Sequence, residues 1–133
     1  MTKKPQDVTD AEFQVLSHLW ERGPSTTRQL AEALYPRKKG AAPTVLKLLE
    51  RLETKACVGR DDRGPVLVFR AQIGKDDLIE HRLNAVAEDL CDGSRTPLLM
   101  HLVDPERLTP AELAMLRKLV EEFDENPSKK KRR

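Results

Sequence analysis

Apolar positions in this chain fall into six blocks with the three- and four-residue spacing of amphipathic helices, interrupted once by an extended stretch. Val8-Thr9-Asp10-Ala11-Glu12-Phe13 is a dense helix start: Thr9 can cap, Glu12 can reach back to the cap nitrogen, and Val8 can pack on Phe13. Phe13, Leu16 and Trp20, flanked by Val15 and Leu19, keep helical spacing until Gly23-Pro24 ends the run, and Trp20 reads as core. Thr26 and Gln29, set three apart, open a short second helix through Leu30, Ala31 and Leu34.

The third block, Ala41 to Ala56, has two unlike faces. Val45, Leu48, Leu49 and Leu52 share an arc of about 100°, the width of a stripe packed on a core. Thr44, Lys47 and Arg51 lie on a narrower arc roughly opposite, and Leu46 sits at its edge. Beyond Lys55 the pattern becomes extended: Val58, then Asp61 to Pro65 as a turn, then Val66 to Phe69, a two-stranded hairpin carrying Arg60, Arg63 and Arg70.

Three more helices follow. Ile79, Leu83, Val86 and Leu90 form one stripe; Thr96-Pro97 is expected to cap a short helix holding Leu98, Leu99, Leu102 and Val103. Leu108 to Leu113 repeats the cap chemistry of Val8 to Phe13 by convergence and starts a last helix with Leu113, Leu116, Val120 and Phe123 on one line. A chain of 133 residues buries only a modest core. These three helices have little else in it to cover them, so a second copy is the economical cover and the chain is expected to be a homodimer.

The expected fold class is therefore mainly α with a small β-hairpin wing: a winged helix-turn-helix domain over residues 1–73, a three-helix dimerisation region over 74–125, and a disordered basic tail over 126–133.

Charge sharpens this division. Residues 1–72 hold 13 Lys and Arg against 9 Asp and Glu, residues 73–125 hold 6 against 13, and the last eight add five cations, giving +2 overall. A basic front suits a polyanion and an acidic back does not. Thr44, Lys47 and Arg51 are first choices for contact with a DNA major groove, with the loop Tyr35 to Gly40 (YPRKKG) beside them. Thr26, Thr27 and Arg28 begin the second helix, where backbone N–H groups favour a phosphate; Arg60 and Arg63 are wing candidates.

No run of about 18 apolar residues spans a membrane and the N-terminus lacks an apolar signal core, so the protein is expected in the cytoplasm with no membrane partner. Cys57 and Cys91 are too few and too far apart for a metal cluster, and His18, His81 and His101 are scattered, so no metal or other cofactor is expected. No nucleophile, acid-base pair or phosphate-binding glycine loop suggests an enzyme.

Several residues together carry a family likeness. Thr9-Asp10-Ala11-Glu12, Leu19-Trp20 with Gly23-Pro24, Thr44-Val45 leading to Leu49-Glu50-Arg51-Leu52, and the hairpin after them resemble the penicillinase and methicillin-resistance repressors and their copper-operon relatives (BlaI/MecI/CopY), over about Val8 to Phe123. The resemblance implies a cytoplasmic homodimeric repressor whose N-terminal winged helix binds a double-stranded DNA operator and whose C-terminal helices dimerise.

The chain also departs from that pattern. Ala56 stands where the family usually has glycine, so a changed exit from the third helix is expected. Gly64-Pro65 replaces the usual Gly-Arg of the wing, and Ala41 and Ala42 replace larger or polar groups, so contacts there do not carry over. The Asn-Phe bond at which penicillinase-type members are cleaved maps to His101-Leu102, so the sequence does not support a regulatory protease as partner. SKKKRR stands in place of a copper-binding Cys-rich tail. The alternative functional reading is a winged-helix protein-interaction module whose basic face meets an acidic protein. A sensor built on Cys57 and Cys91 would need them to meet across a dimer.

Overall fold

The computed structural model describes residues 7–125; the basic tail expected at 126–133 lies outside them. Its elements run α1 (Asp10–Arg22), α2 (Thr27–Leu34), α3 (Ala42–Thr54), β1 (Val58–Asp61), β2 (Val68–Ala71), α4 (Lys75–Leu90), α5 (Thr96–Leu102) and α6 (Pro110–Glu125). This is the expected mainly helical fold with a two-stranded wing.

Local chemistry fixes where the first helices begin. Thr9 Oγ1 accepts from the Glu12 amide at 3.2 Å while the Thr9 amide donates to Glu12 Oε1 at 3.0 Å, closing the box that starts α1. Thr26 and Gln29 do the same for α2, at 3.0 and 2.8 Å. Gly23, at φ 85°, ends α1 in a conformation that glycine adopts without penalty.

The core sits among α1, α2, α3 and the wing. Val15, Leu16 and Leu19 meet Leu30 and Ala31, the α3 stripe Val45, Leu48, Leu49 and Leu52, and Phe69 of β2. Each of the Val, Leu and Phe side chains contributes about 1.5–3 kcal/mol by leaving water. Trp20 is half-buried against this core, edge-on to Phe13 with centroids 5.8 Å apart. The hairpin is antiparallel, pairing Val58 with Ala71 and Asp61 with Val68, and Ser25 and Phe69 exchange backbone hydrogen bonds at 3.0 and 2.8 Å. That exchange holds the wing to the turn between α1 and α2.

The second strand begins two residues later than the sequence suggests. Val66 is 57% exposed and lies outside the ladder. Pro65 has no N–H to donate and the chain is still bending through Val66, so pairing resumes only at Val68.

Two cations join distant segments. Lys55, 4% exposed, donates to Glu12 Oε1 at 2.5 Å and to the Asp7 carbonyl at 2.8 Å, so the end of α3 is pinned to the start of α1. Arg82 of α4 donates to the Val8 carbonyl at 2.6 Å and lies 5.9 Å from the Phe13 ring centre. Leu78, on the same side of α4, belongs to the core.

The rest of α4 and all of α5 and α6 are differently built. Ile79, Val86 and Leu90 on α4, Leu99, Met100 and Leu102 on α5, and Met115, Leu119 and Val120 on α6 are all exposed large apolar residues, while Leu83, Leu98, Leu113, Leu116 and Phe123 are half-covered. Neither α5 nor α6 contains a buried residue. Arg95 donates to Glu80 and Asn84, which ties the start of α5 to α4. The expected cap at Thr96 is not formed: Thr96 is itself the first helical residue, and its amide donates to Ser94 Oγ instead. Pro97 stands in the first turn, where its missing N–H costs nothing, so the helix starts one residue earlier than a Thr96 cap would place it. Thr109 and Glu112 form the expected box before α6, at 2.8 and 3.1 Å.

Candidate nucleic-acid interface

α3 buries Val45, Leu48, Leu49 and Leu52 and leaves Thr44, Lys47 and Arg51 exposed, so these three share the outward face of a helix clamped to the core. Pro43 in the first turn presets its φ for the helix. Leu46, at the edge of this face, is half-buried against the core, and Ala41 is buried at the helix entrance. At the exit, Ala56 adopts φ 62°. The changed exit expected from the loss of glycine does not occur: the left-handed turn is kept with a Cβ in place. The Cys57 amide donating to the Leu52 carbonyl at 2.9 Å and the buried Lys55 beside it hold that turn closed.

Around α3 the cations divide into two sets. Lys47 and Arg51, with Arg37, Lys38 and Lys39 of the preceding loop, are exposed and make no ion pair among the described residues. The wing arginines are all engaged. Arg60 donates Nε and Nη2 to the two Glu53 oxygens at 2.8 and 2.7 Å and stacks 5.2 Å over the Phe69 ring. Arg63 donates through Nε and Nη2 to Asp61 at 3.0 and 2.9 Å, and Arg70 donates to the same carboxylate at 2.7 Å. The Arg60 hydrogen bonds hold the Glu53 carboxyl below the usual carboxylate range. Those of Arg63 hold Asp61 well below it.

Thr26 is committed to capping α2, Thr27 is half-buried at its first position, and Arg28 is exposed and pairs with Glu32 at 3.2 Å. The expected contact residues thus lie on three adjoining pieces: the α3 face, the start of α2 and the wing. Reading the sequence for cations alone missed their partners, Glu53 and Asp61. The α3–wing clamp had a visible signal in an acid next to the last residue of a helix leading into an Arg-bearing strand. It also missed Lys55 and Arg82 as fasteners, and Met100, Met115 and Leu119 as exposed apolar residues.

Cys57 is buried and Cys91 half-exposed, both as free thiols. Among the described residues no group of three or more His, Cys, Asp or Glu could hold a metal ion, and no helix is long and apolar enough to cross a membrane.

The chain is similar to a transcriptional regulator BlaI of Mycobacterium tuberculosis, 37% identical over 119 residues that cover 86% of this chain and 83% of the relative. It is 24% identical to a penicillinase repressor of Bacillus licheniformis, over 92% of this chain and 94% of that one. A solution structure of the DNA-binding domain of the repressor BlaI is 25% identical, with 56% of this chain and 92% of that domain covered at a TM-score of 0.48. The family model described as the penicillinase repressor matches residues 8–122. With nearly the whole described chain inside that match, the protein belongs to the penicillinase repressor family.

Proposed function

We propose that this chain is a DNA-binding transcriptional repressor that acts as a homodimer on a roughly palindromic operator. The observation that carries the reading is the contrast in commitment of its cations. Lys47 and Arg51 stand on the outward face of a rigid helix, next to Arg37, Lys38 and Lys39, with no carboxylate among the described residues to satisfy them. A guanidinium and an ammonium on one helix face fit the base edges and flanking phosphates of a major groove, with Thr44 available for a base or backbone contact. Thr27 and Arg28, at the start of α2, suit the adjoining phosphates. The names of its relatives agree with this reading.

Pairing follows from the open apolar residues of α4 to α6, which a second copy would cover by presenting the same faces. Two α3 helices related by a twofold axis would then enter major grooves about one or two turns apart. Residues 1–73 would grip DNA and 74–125 would join the two grips.

Fluorescence anisotropy with labelled duplex tests the reading. If about six to ten phosphates are engaged, affinity falls by about three to five decades between 50 and 200 mM salt. Lys47→Ala and Arg51→Ala are expected to weaken operator binding by about 1–3 kcal/mol each while sedimentation still reports a dimer. A salt-independent response, or unchanged binding in both variants, would overturn it.

A further inference from the structure

The wing carries an arrangement that its cations alone do not explain. Asp61 ends β1 opposite Val68, while Arg70 pairs with Gly59 two positions along, so Arg70 reaches Asp61 diagonally across the outer face of the hairpin. Arg63 folds back from the turn onto the same carboxylate with three donors: its amide at 3.1 Å, Nε at 3.0 Å and Nη2 at 2.9 Å. The Asp61 side chain is 16% exposed, whereas Arg63 and Arg70 are 83% and 46% exposed. One covered acid thus holds two open guanidiniums. They line a notch of about 270 Å³ together with Arg60 and Asp62. A carboxylate receiving a two-pronged guanidinium has the geometry of a DNA phosphate receiving one.

We propose that Asp61 is an internal substitute for backbone phosphate, which occupies Arg63 and Arg70 in the free protein and so limits the wing's affinity for any duplex. The inference rests on the DNA-binding reading above. With both guanidiniums already held by Asp61, a phosphate gains little by displacing an exposed pair of this kind, and the two arginines add no net phosphate contact in the wild type. The wing therefore adds little to binding that does not depend on sequence, and the unpaired cations of α3 dominate. Asp62, one residue on, is exposed and makes no hydrogen bond or ion pair among the described residues; it acts on Arg60 only through space, so it brings the same charge to the same turn without binding Arg63 or Arg70.

The test measures binding of a random-sequence duplex by the full chain across a salt series, for wild type, Asp61→Asn, Asp62→Asn, and Asp61→Asn combined with Arg63→Gln and Arg70→Gln. Circular dichroism melts establish that each variant is folded. Freeing two arginines is expected to steepen the slope of log K against log salt by about 1.8 and to tighten binding about tenfold near 150 mM salt. Asp62→Asn is expected to move the slope by less than half as much. The triple variant is expected to lose the gain.

A slope for Asp61→Asn equal to or shallower than wild type would overturn the proposal, since a carboxylate that aims the arginines at phosphate would weaken binding when removed. An equal effect of Asp62→Asn would overturn it as well, leaving net charge as the cause. Wild type that binds with a steep salt slope while Asp61→Asn is unchanged sinks this inference alone. Wild type that ignores duplex in 50 mM salt sinks the functional reading and this inference with it.

Discussion

Leu16, Leu49 and Phe69 have no solvent exposure, whereas Leu90, Met100 and Met115 are 80%, 71% and 70% exposed within the same chain. Both groups are large apolar side chains on regular elements, so the difference lies in what surrounds them. The winged portion closes on itself: three helices and a hairpin each turn a stripe toward one centre. The helices α4 to α6 also carry apolar stripes, but beyond Leu78 and Ala87 of α4 they have no such centre. Their apolar faces lie open in the single chain, and in the proposed dimer a second copy would supply the missing half of a core. On that proposal folding is complete within one chain at the front and would depend on concentration at the back.

The sharpest way to break this comparison is at Lys55. Replacing it by Ala leaves Glu12 as an unpaired charge in the front core and is expected to cost about 3–5 kcal/mol in a denaturant melt. Pairing it with Glu12→Leu should recover part of that loss, because the Thr9 amide then loses its bond to Glu12 Oε1. Leu49→Ala is expected to cost about 2–5 kcal/mol at any protein concentration. Leu119→Ala, on the open face of α6, should instead leave the dilute subunit within about 0.5 kcal/mol of wild type and weaken self-association in sedimentation equilibrium. Equal effects of the two leucine variants in the dilute state would erase the distinction.

Smaller effects sharpen it. Ala56→Gly relieves a left-handed Cβ at φ 62° and is expected to stabilise the front by about 1 kcal/mol, read as a higher melting temperature. The thiols should differ as their surroundings do. Burial pushes the Cys57 thiol above its ordinary value, so Cys91 should react with a thiol reagent at pH 8 while Cys57 waits for unfolding. The sign of the linkage follows. As pH rises through the unfolded thiol's range, the unfolded chain loses its Cys57 proton first, and stability declines.

Much of this architecture was legible in the residues. Thr9 with Glu12, Thr26 with Gln29, and Val45 with Leu48, Leu49 and Leu52 act over one turn of helix, where spacing in sequence is spacing in space. What escaped notice acts over distance or against type. Lys55 reads as a surface cation until Glu12, 43 residues earlier, is folded beside it. Asp61 reads as turn polarity until Arg70 arrives across the ladder. On α6, Met115 and Leu119 lie outside the stripe through Leu113, Leu116 and Phe123, so a single periodicity conceals a second apolar face. The outward direction of Thr44, Lys47 and Arg51 followed from the opposite stripe once that stripe was assigned to the core. Their proposed contact with DNA is what the Ala variants would measure.

Trp20 donates its indole N–H to the Ile73 carbonyl at 2.8 Å, at the seam between the hairpin and α4. It is the chain's one tryptophan, so the protein has a built-in fluorophore at the junction between its front and back. Emission from that ring would shift to longer wavelength if the linker pulled away, and an unlabelled sample in a cuvette would register whether seating on an operator strains the joint.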